Sequence, residues 1–148
     1  MLDNPDKSHI AALSGFSEFY RGRRVLVAGA DGFLGINCLY ALEALDADVS
    51  IISRRARPRA EGFAGRVCRG DMRDPHVVAA AVEDRQIVFD FAGCSGPVQS
   101  NRDPDGNLQD ECRPHLALFR ACAEADPAPA VVYCSSRTVY GKPEYLPV

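Results

Sequence analysis

Val25-Leu26-Val27-Ala28-Gly29-Ala30-Asp31-Gly32-Phe33-Leu34-Gly35 decides how this chain is read. Four apolar residues in an unbroken run, without alternation, suit a strand covered on both faces, as strands of parallel sheets are. Glycines follow at Gly29, Gly32 and Gly35. Residues 33–46 then carry Leu34, Cys38, Leu39, Leu42 and Leu45 near helical spacing. A strand, a glycine turn and a helix in that order have a physical use. The first Gly permits the tight turn, the second lets backbone N–H groups approach a pyrophosphate, and the third lets the helix pack close on the strand. The phosphates then rest on the helix N-terminus, where unpaired N–H groups and the dipole favour an anion. A glycine triplet alone is a weak signal, and its weight comes from the pattern around it.

That pattern extends in both directions. Upstream, residues 1–22 read as a lead-in with a short helix from His9 to Tyr20, ended by Gly22. Downstream, Val49-Ser50-Ile51-Ile52 is a second strand, and an Arg/Pro-rich loop from Arg54 to Arg59 precedes a third near Arg66 to Arg69. Asp74-Pro75 opens a helix over Val77 to Val82, with Asp as cap and Pro in the first turn. Ile87 to Ala92 is a fourth strand, residues 93–106 a polar loop, and a helix then runs to about Ala125. Pro127 and Pro129 close it before a fifth strand, Ala130 to Cys134. Strands alternating with helices imply right-handed crossovers and a parallel sheet. The expected fold is a doubly wound α/β domain, Rossmann-like, occupying residues 23–148 with about five strands.

Composition agrees and excludes several classes. The 148 residues are 47% hydrophobic and 25% charged, ordinary for a soluble globular domain with one core. A net charge of −3 gives no global drive toward nucleic acid or an anionic membrane surface. The arginines Arg54, Arg55, Arg57 and Arg59 lack the neighbouring aromatics of a nucleic-acid site. No apolar run has the roughly 20 residues of a membrane span. The segment from Met1 to Ile10 shows no secretory signal, so a cytoplasmic protein is expected. Cys38, Cys68, Cys94, Cys112, Cys122 and Cys134 include no Cys-x-x-Cys pair, which argues against structural zinc. Reduced thiols packed in the core are expected instead.

The second strand decides between the two nicotinamide dinucleotides. In NAD-binding domains an acid at its end holds the ribose 2′-OH, whereas a nearby Arg accommodates a 2′-phosphate. Here the strand ends at Ser53-Arg54-Arg55, with no acid. NADP is therefore expected in preference to NAD.

Four stretches in order make a family recognisable: Val25 to Gly35, Gly70-Asp71-Met72-Arg73-Asp74, Phe89-Asp90-Phe91-Ala92-Gly93, and Tyr133-Cys134-Ser135-Ser136-Arg137-Thr138-Val139-Tyr140-Gly141. The chain resembles the extended short-chain dehydrogenase/reductases, the NAD(P)-dependent sugar-nucleotide epimerase/dehydratase family, from Arg23 to Val148. The resemblance implies that Gly29, Gly32 and Gly35 line a pyrophosphate, with Phe33 and Leu34 donating backbone N–H groups. It implies that Asp71 and Met72 border the adenine and that Ala92 and Gly93 contact the cofactor's ribose and phosphate side. Ser136 occupies the family's catalytic Ser/Thr position, where its hydroxyl would bond the substrate oxygen on the carbon that gains or loses hydride. Thr138 stands where the dehydratase branch has an acid, which leans toward an epimerase or reductase.

The chain also departs from that family. Its members use a Tyr-x-x-x-Lys pair, in which Lys lowers the Tyr pKa toward working pH. Four places after Tyr20, Tyr40, Tyr133 and Tyr140 stand Arg24, Ala44, Arg137 and Glu144, and the only lysines are Lys7 and Lys142. By family spacing the pair falls past Val148. Glu111 also replaces an Asn usual in the helix before the fifth strand, and Pro114 lies near that helix's start. The expectation is a cofactor half, stopping before the substrate lobe, of an enzyme of roughly twice the length. Such a half binds a dinucleotide but is inactive alone, and takes a nucleotide sugar only with the C-terminal lobe. The alternative is a stand-alone dinucleotide-binding module or partner subunit, whose fifth strand leaves an edge for self-association.

Overall fold

The structure, a computed structural model, describes residues 12–55, 58–93, 97–142 and 145. At its centre is β1 (Arg24–Ala28). The chain passes through α1 (Phe33–Ala44) to β2 (Asp48–Ser53) and on to β3 (Arg66–Arg69). It then crosses by α2 (Pro75–Val82) to β4 (Ile87–Asp90), and by α3 (Arg113–Glu124) to β5 (Ala130–Tyr133). The five strands form one parallel sheet in the order β3-β2-β1-β4-β5. In register, Ala28 lies between Ile52 of β2 and Asp90 of β4. Strand order therefore reverses at β1, where open α/β sheets bind ligands.

The unbroken apolar run of β1 is explained by cover on both sides. Val25 and Val27 join Leu39 and Leu42 of α1, Val49 and Ile51 of β2, and Ile87 of β4 in one core cluster. Leu26 and Ala28 face the opposite cluster, with Val78 and Val82 of α2 and Leu118 and Cys122 of α3. Each such Leu or Val contributes about 1.5–3 kcal/mol on leaving water, which holds a helical layer on each face.

Most expected elements are present, and the differences have local causes. Of the helix expected over His9–Tyr20, the described part is a 3-10 turn (Ser14–Phe16) and one α turn (Ser17–Tyr20), while His9 lies outside the described residues. Gly15 within it costs helix stability, about 1 kcal/mol relative to Ala. In α1 the buried positions are Gly35, Ile36, Leu39 and Leu42, followed by Leu45, whereas Leu34 is half-exposed at the first turn. The expected polar loop after β4 contains helical turns at Pro97–Arg102 and Pro104–Asn107. Asp103 caps the second, accepting the Gly106 N–H at 2.9 Å. Asp74 does the same for α2, accepting the His76 N–H at 2.9 Å, so one Asp-Pro signal was used twice. A π turn, Leu108–Cys112, leads into α3.

The cysteines correct an expectation. Five are free thiols among the described residues, but only Cys122 is buried, and Cys112 and Cys134 are exposed. Cys94 lies outside the described residues. Burial raises the thiol pKa of Cys38 to about 12 and of Cys122 to about 11, which keeps both protonated at neutral pH. No helix among the described residues is long and apolar enough to cross a membrane. None of their His, Cys, Asp and Glu side chains group as metal ligands.

Candidate functional site

Gly29 ends β1 with φ +74°, a left-handed conformation that favours glycine. A Cβ there would strike the Phe91 carbonyl just beyond β4. The Gly32 N–H donates to the Gly29 carbonyl at 3.0 Å, and the Ile36 N–H donates to the Gly32 carbonyl at 3.0 Å. The second bond opens α1, so the amides of Phe33, Leu34 and Gly35 belong to the first turn, where N–H groups have no intrahelical acceptor. A Cβ at Gly35 would overlap the Gly29 carbonyl oxygen, so the helix start lies directly against the turn. Close backbone approach and outward N–H groups are what an anionic ligand needs.

Above this turn lies a cleft of about 410 Å³ at the carboxyl ends of the strands, within the range of small-molecule sites. Gly29 and Gly32 form one side of it. Ser53, Arg54 and Arg55 approach from the end of β2, Asp71 and Met72 from beyond β3, and Ala92 and Gly93 from beyond β4. These nine residues, singled out in four separate stretches of sequence, share one lining. Phe33 and Leu34 are exposed at the start of α1, with side chains outside that lining. Gly35 contributes close packing. Ser136 is exposed just after β5, also outside the lining, and its carbonyl accepts the Val139 N–H at 3.1 Å.

Two further acids shape the cleft. Asp31 in the glycine turn reaches the end of β2. Its Oδ2 accepts from the Ser53 hydroxyl at 2.6 Å and lies 3.8 Å from the Arg55 Nε, while Oδ1 accepts the Arg59 N–H at 2.8 Å. Asp90, the last residue of β4, is fully buried. One of its oxygens accepts the Ala92 N–H at 3.1 Å, fixing the turn toward Gly93. The other accepts from His115 Nδ1 at 2.7 Å. That bond holds the imidazole pKa above its ordinary value against the opposing effect of burial, with the Asp90 and Glu111 charges adding to it. His115 also packs near Phe119 and edge-on to Tyr133. Beyond β3, Arg73 grips Asp71 through Nη2 at 2.7 Å and reaches Asp110 through Nη1 at 3.0 Å. The Arg73 hydrogen bond holds the Asp71 carboxyl below its usual range.

Asp31, Asp90 and His115 were not among the residues expected from sequence. Asp31 sat inside a motif read for its glycines. Asp90 carried a signal, one charge in the apolar run Ile87 to Ala92, because a buried charge requires a partner. Nothing in the order of residues names His115 as that partner, 25 positions away.

The sequence and fold have counterparts among known proteins. A family model described as the NAD dependent epimerase/dehydratase family matches residues 25–147. A UDP-glucose 4-epimerase of Azospirillum brasilense is 29% identical over 129 residues, covering 84% of this chain and 37% of that protein. Among solved structures, the Stenotrophomonas maltophila UDP-glucose-4-epimerase with bound NAD and formylated UDP-arabinopyranose aligns with a TM-score of 0.73 and 26% identity. That match covers 85% of this chain and 40% of the other. The Bifidobacterium longum UDP-glucose 4-epimerase in complex with NAD+ and UDP has a TM-score of 0.73 and 25% identity, covering 84% and 40%. This chain thus spans about two-fifths of the length of these relatives.

Proposed function

Because the chain belongs to the NAD dependent epimerase/dehydratase family, we propose that it is the cofactor-holding part of an enzyme acting on a nucleotide sugar by hydride transfer. One observation carries this reading. The glycine turn stands at the carboxyl end of β1, where strand order reverses, and opens on a cleft that gathers residues of three of the four family motifs together with the end of β2. The turn suits a nicotinamide dinucleotide, since a Cβ at Gly29 would strike the Phe91 carbonyl and one at Gly35 the Gly29 carbonyl, so only glycines let the helix start lie this close to the turn.

In this proposal Gly29, Gly32 and the amides of Phe33 and Leu34 grip the pyrophosphate, with Gly35 setting the helix close. Ser53, Arg54 and Arg55 lie beside the adenosine ribose, Asp71 and Met72 border the adenine, and Ala92 and Gly93 meet the second ribose. When bound, such a cofactor supplies a ring that takes and returns hydride. Ser136, just after β5, is the proposed hydrogen-bond partner of the substrate oxygen. Arg54 and Arg55 favour NADP on charge, and Asp31 opposes it. The nucleotide-sugar assignment draws on the UDP and UDP-sugar complexes of the two relatives. A Tyr-x-x-x-Lys pair is not among these 148 residues. The 148-residue chain is accordingly proposed to bind without turnover, because acid/base work needs groups within hydrogen-bonding reach of the substrate.

A second reading, a non-catalytic dinucleotide module working with a partner subunit or another copy of itself, is favoured by β5. That strand pairs with β4 on one side, and Val131, Val132 and Tyr133 are exposed. Calorimetric titration of the monodisperse 148-residue chain with NADH and NADPH tests both readings. Binding of at least one is expected, and no heat from either removes both. Reading the adjoining DNA for an in-frame Tyr-x-x-x-Lys then separates enzyme from module.

A further inference from the structure

Three donors converge on one carboxylate at the end of β2. The Ser53 hydroxyl and the Arg59 amide donate to the two oxygens of Asp31, and the Arg55 guanidinium stands beside Oδ2. Ser53 is buried, and its oxygen accepts the Arg55 N–H at 3.1 Å, so its proton is committed to Asp31. Hydroxyl, amide and guanidinium donors in one place are the groups that bind a phosphate monoester. Here the glycine turn fills that nest with the chain's own anion.

Resting on the reading of this cleft as a dinucleotide site, we infer that Asp31 selects NAD over NADP. It delivers from the glycine turn the acid that the strand end lacks. A carboxylate offers about four lone-pair positions, and Ser53 and Arg59 take two, which leaves acceptors for the hydroxyls of an adenosine ribose. A phosphate in place of the 2′-OH brings about −1.5 to −2 charge at pH 7. It would face the Asp31 carboxylate and find the Ser53 hydroxyl and the Arg59 amide already engaged. The arginines do not reverse this. Arg55 is answered by Asp31 itself, and the charge of Arg54 acts on Asp71, contributing to the lowered pKa of that carboxyl. What remains of their attraction is between exposed groups and is screened over about 10 Å by salt, whereas the carboxylate acts at contact.

The test is a pair of affinities measured by titrating the full 148-residue chain with NADH and with NADPH. NADH is expected to bind at least about tenfold more tightly, and D31S, which empties the nest, is expected to shift the ratio toward NADPH by about tenfold or more. Circular dichroism melting verifies that D31S is folded. A wild-type chain that binds NADPH as well as or better than NADH overturns the inference whatever the variant does. A folded D31S with the wild-type ratio overturns it too, while leaving the dinucleotide reading intact. Binding of neither cofactor overturns that reading, and the inference with it. Should D31S fail to fold, competition against NADH by 5′-AMP and by adenosine 2′,5′-bisphosphate on the wild type decides. Weaker competition by the bisphosphate supports the inference, and stronger competition overturns it.

Discussion

Asp90 Oδ2 and His115 Nδ1 meet at 2.7 Å, tying the end of β4 to the first turn of α3 at the side of the cleft. The same carboxylate holds the Ala92 N–H, so one buried residue sets both the turn after β4 and the helix that flanks it. The dyad is thus a positioning element for the surface that a ligand meets. It also makes the fold sensitive to protonation.

The folded pKa of His115 lies above its ordinary value of about 6.5. The stability this contributes is complete below that value and is lost as pH rises through the raised pKa, when the imidazole proton leaves. Urea midpoints should therefore fall from pH 6 to pH 9 in the wild type. In H115A the decline should be flatter and the fold weaker by about 3 kcal/mol, because Asp90 is left buried without its partner. A slope in H115A as steep as in the wild type would assign the pH effect to other groups.

Gly29 is the most constrained residue of the turn. G29A sets a Cβ against the Phe91 carbonyl in a left-handed conformation. A loss of about 2 kcal/mol or more is expected by denaturant unfolding, together with loss of dinucleotide binding in titration. Full binding by a folded G29A would show that the turn is not the anchor.

Leu118 is wholly buried between α3 and the sheet. L118A should cost about 2–5 kcal/mol in chemical unfolding. The exposed Leu116, two residues earlier, provides the contrast, since L116A should change stability by about 0.5 kcal/mol or less.

Asp74 caps α2 through the His76 amide. D74A is expected to lower stability by about 1 kcal/mol, read as a drop in melting temperature, with D74S restoring most of it. A D74S melt equal to that of D74A would show that the cap bond contributes nothing.

If copies associate through β5, sedimentation velocity should show a concentration-dependent dimer that V132K abolishes. A charged side chain on an open edge strand opposes edge-to-edge pairing. A monomer at all concentrations would count against self-association through this strand.

The order of strands and helices was legible because β1, β2 and β4 are written as apolar runs and the crossovers as Asp-Pro caps and helical spacing. The nine lining residues were legible through motifs, each a local arrangement of turn and strand end. The polar stretch after β4 was less so, since short helical turns depend on caps such as Asp103 more than on periodicity. His115 and Asp31 were not legible as site residues, because their roles depend on partners from other elements.

The sequence by itself determined a doubly wound sheet with a glycine turn at the head of its first helix. Hydrophobic period and glycine placement act over a few residues, and that range suffices for such features. Only the tertiary structure decided where the charges go. Parallel pairing of β1 with β2 carries Asp31 to Ser53, and pairing with β4 sets Asp90 beneath α3. The end of β2, written as Ser53-Arg54-Arg55, looked free of acid. In the fold it has one, because a carboxylate twenty-two residues earlier is brought within 2.6 Å of the Ser53 hydroxyl.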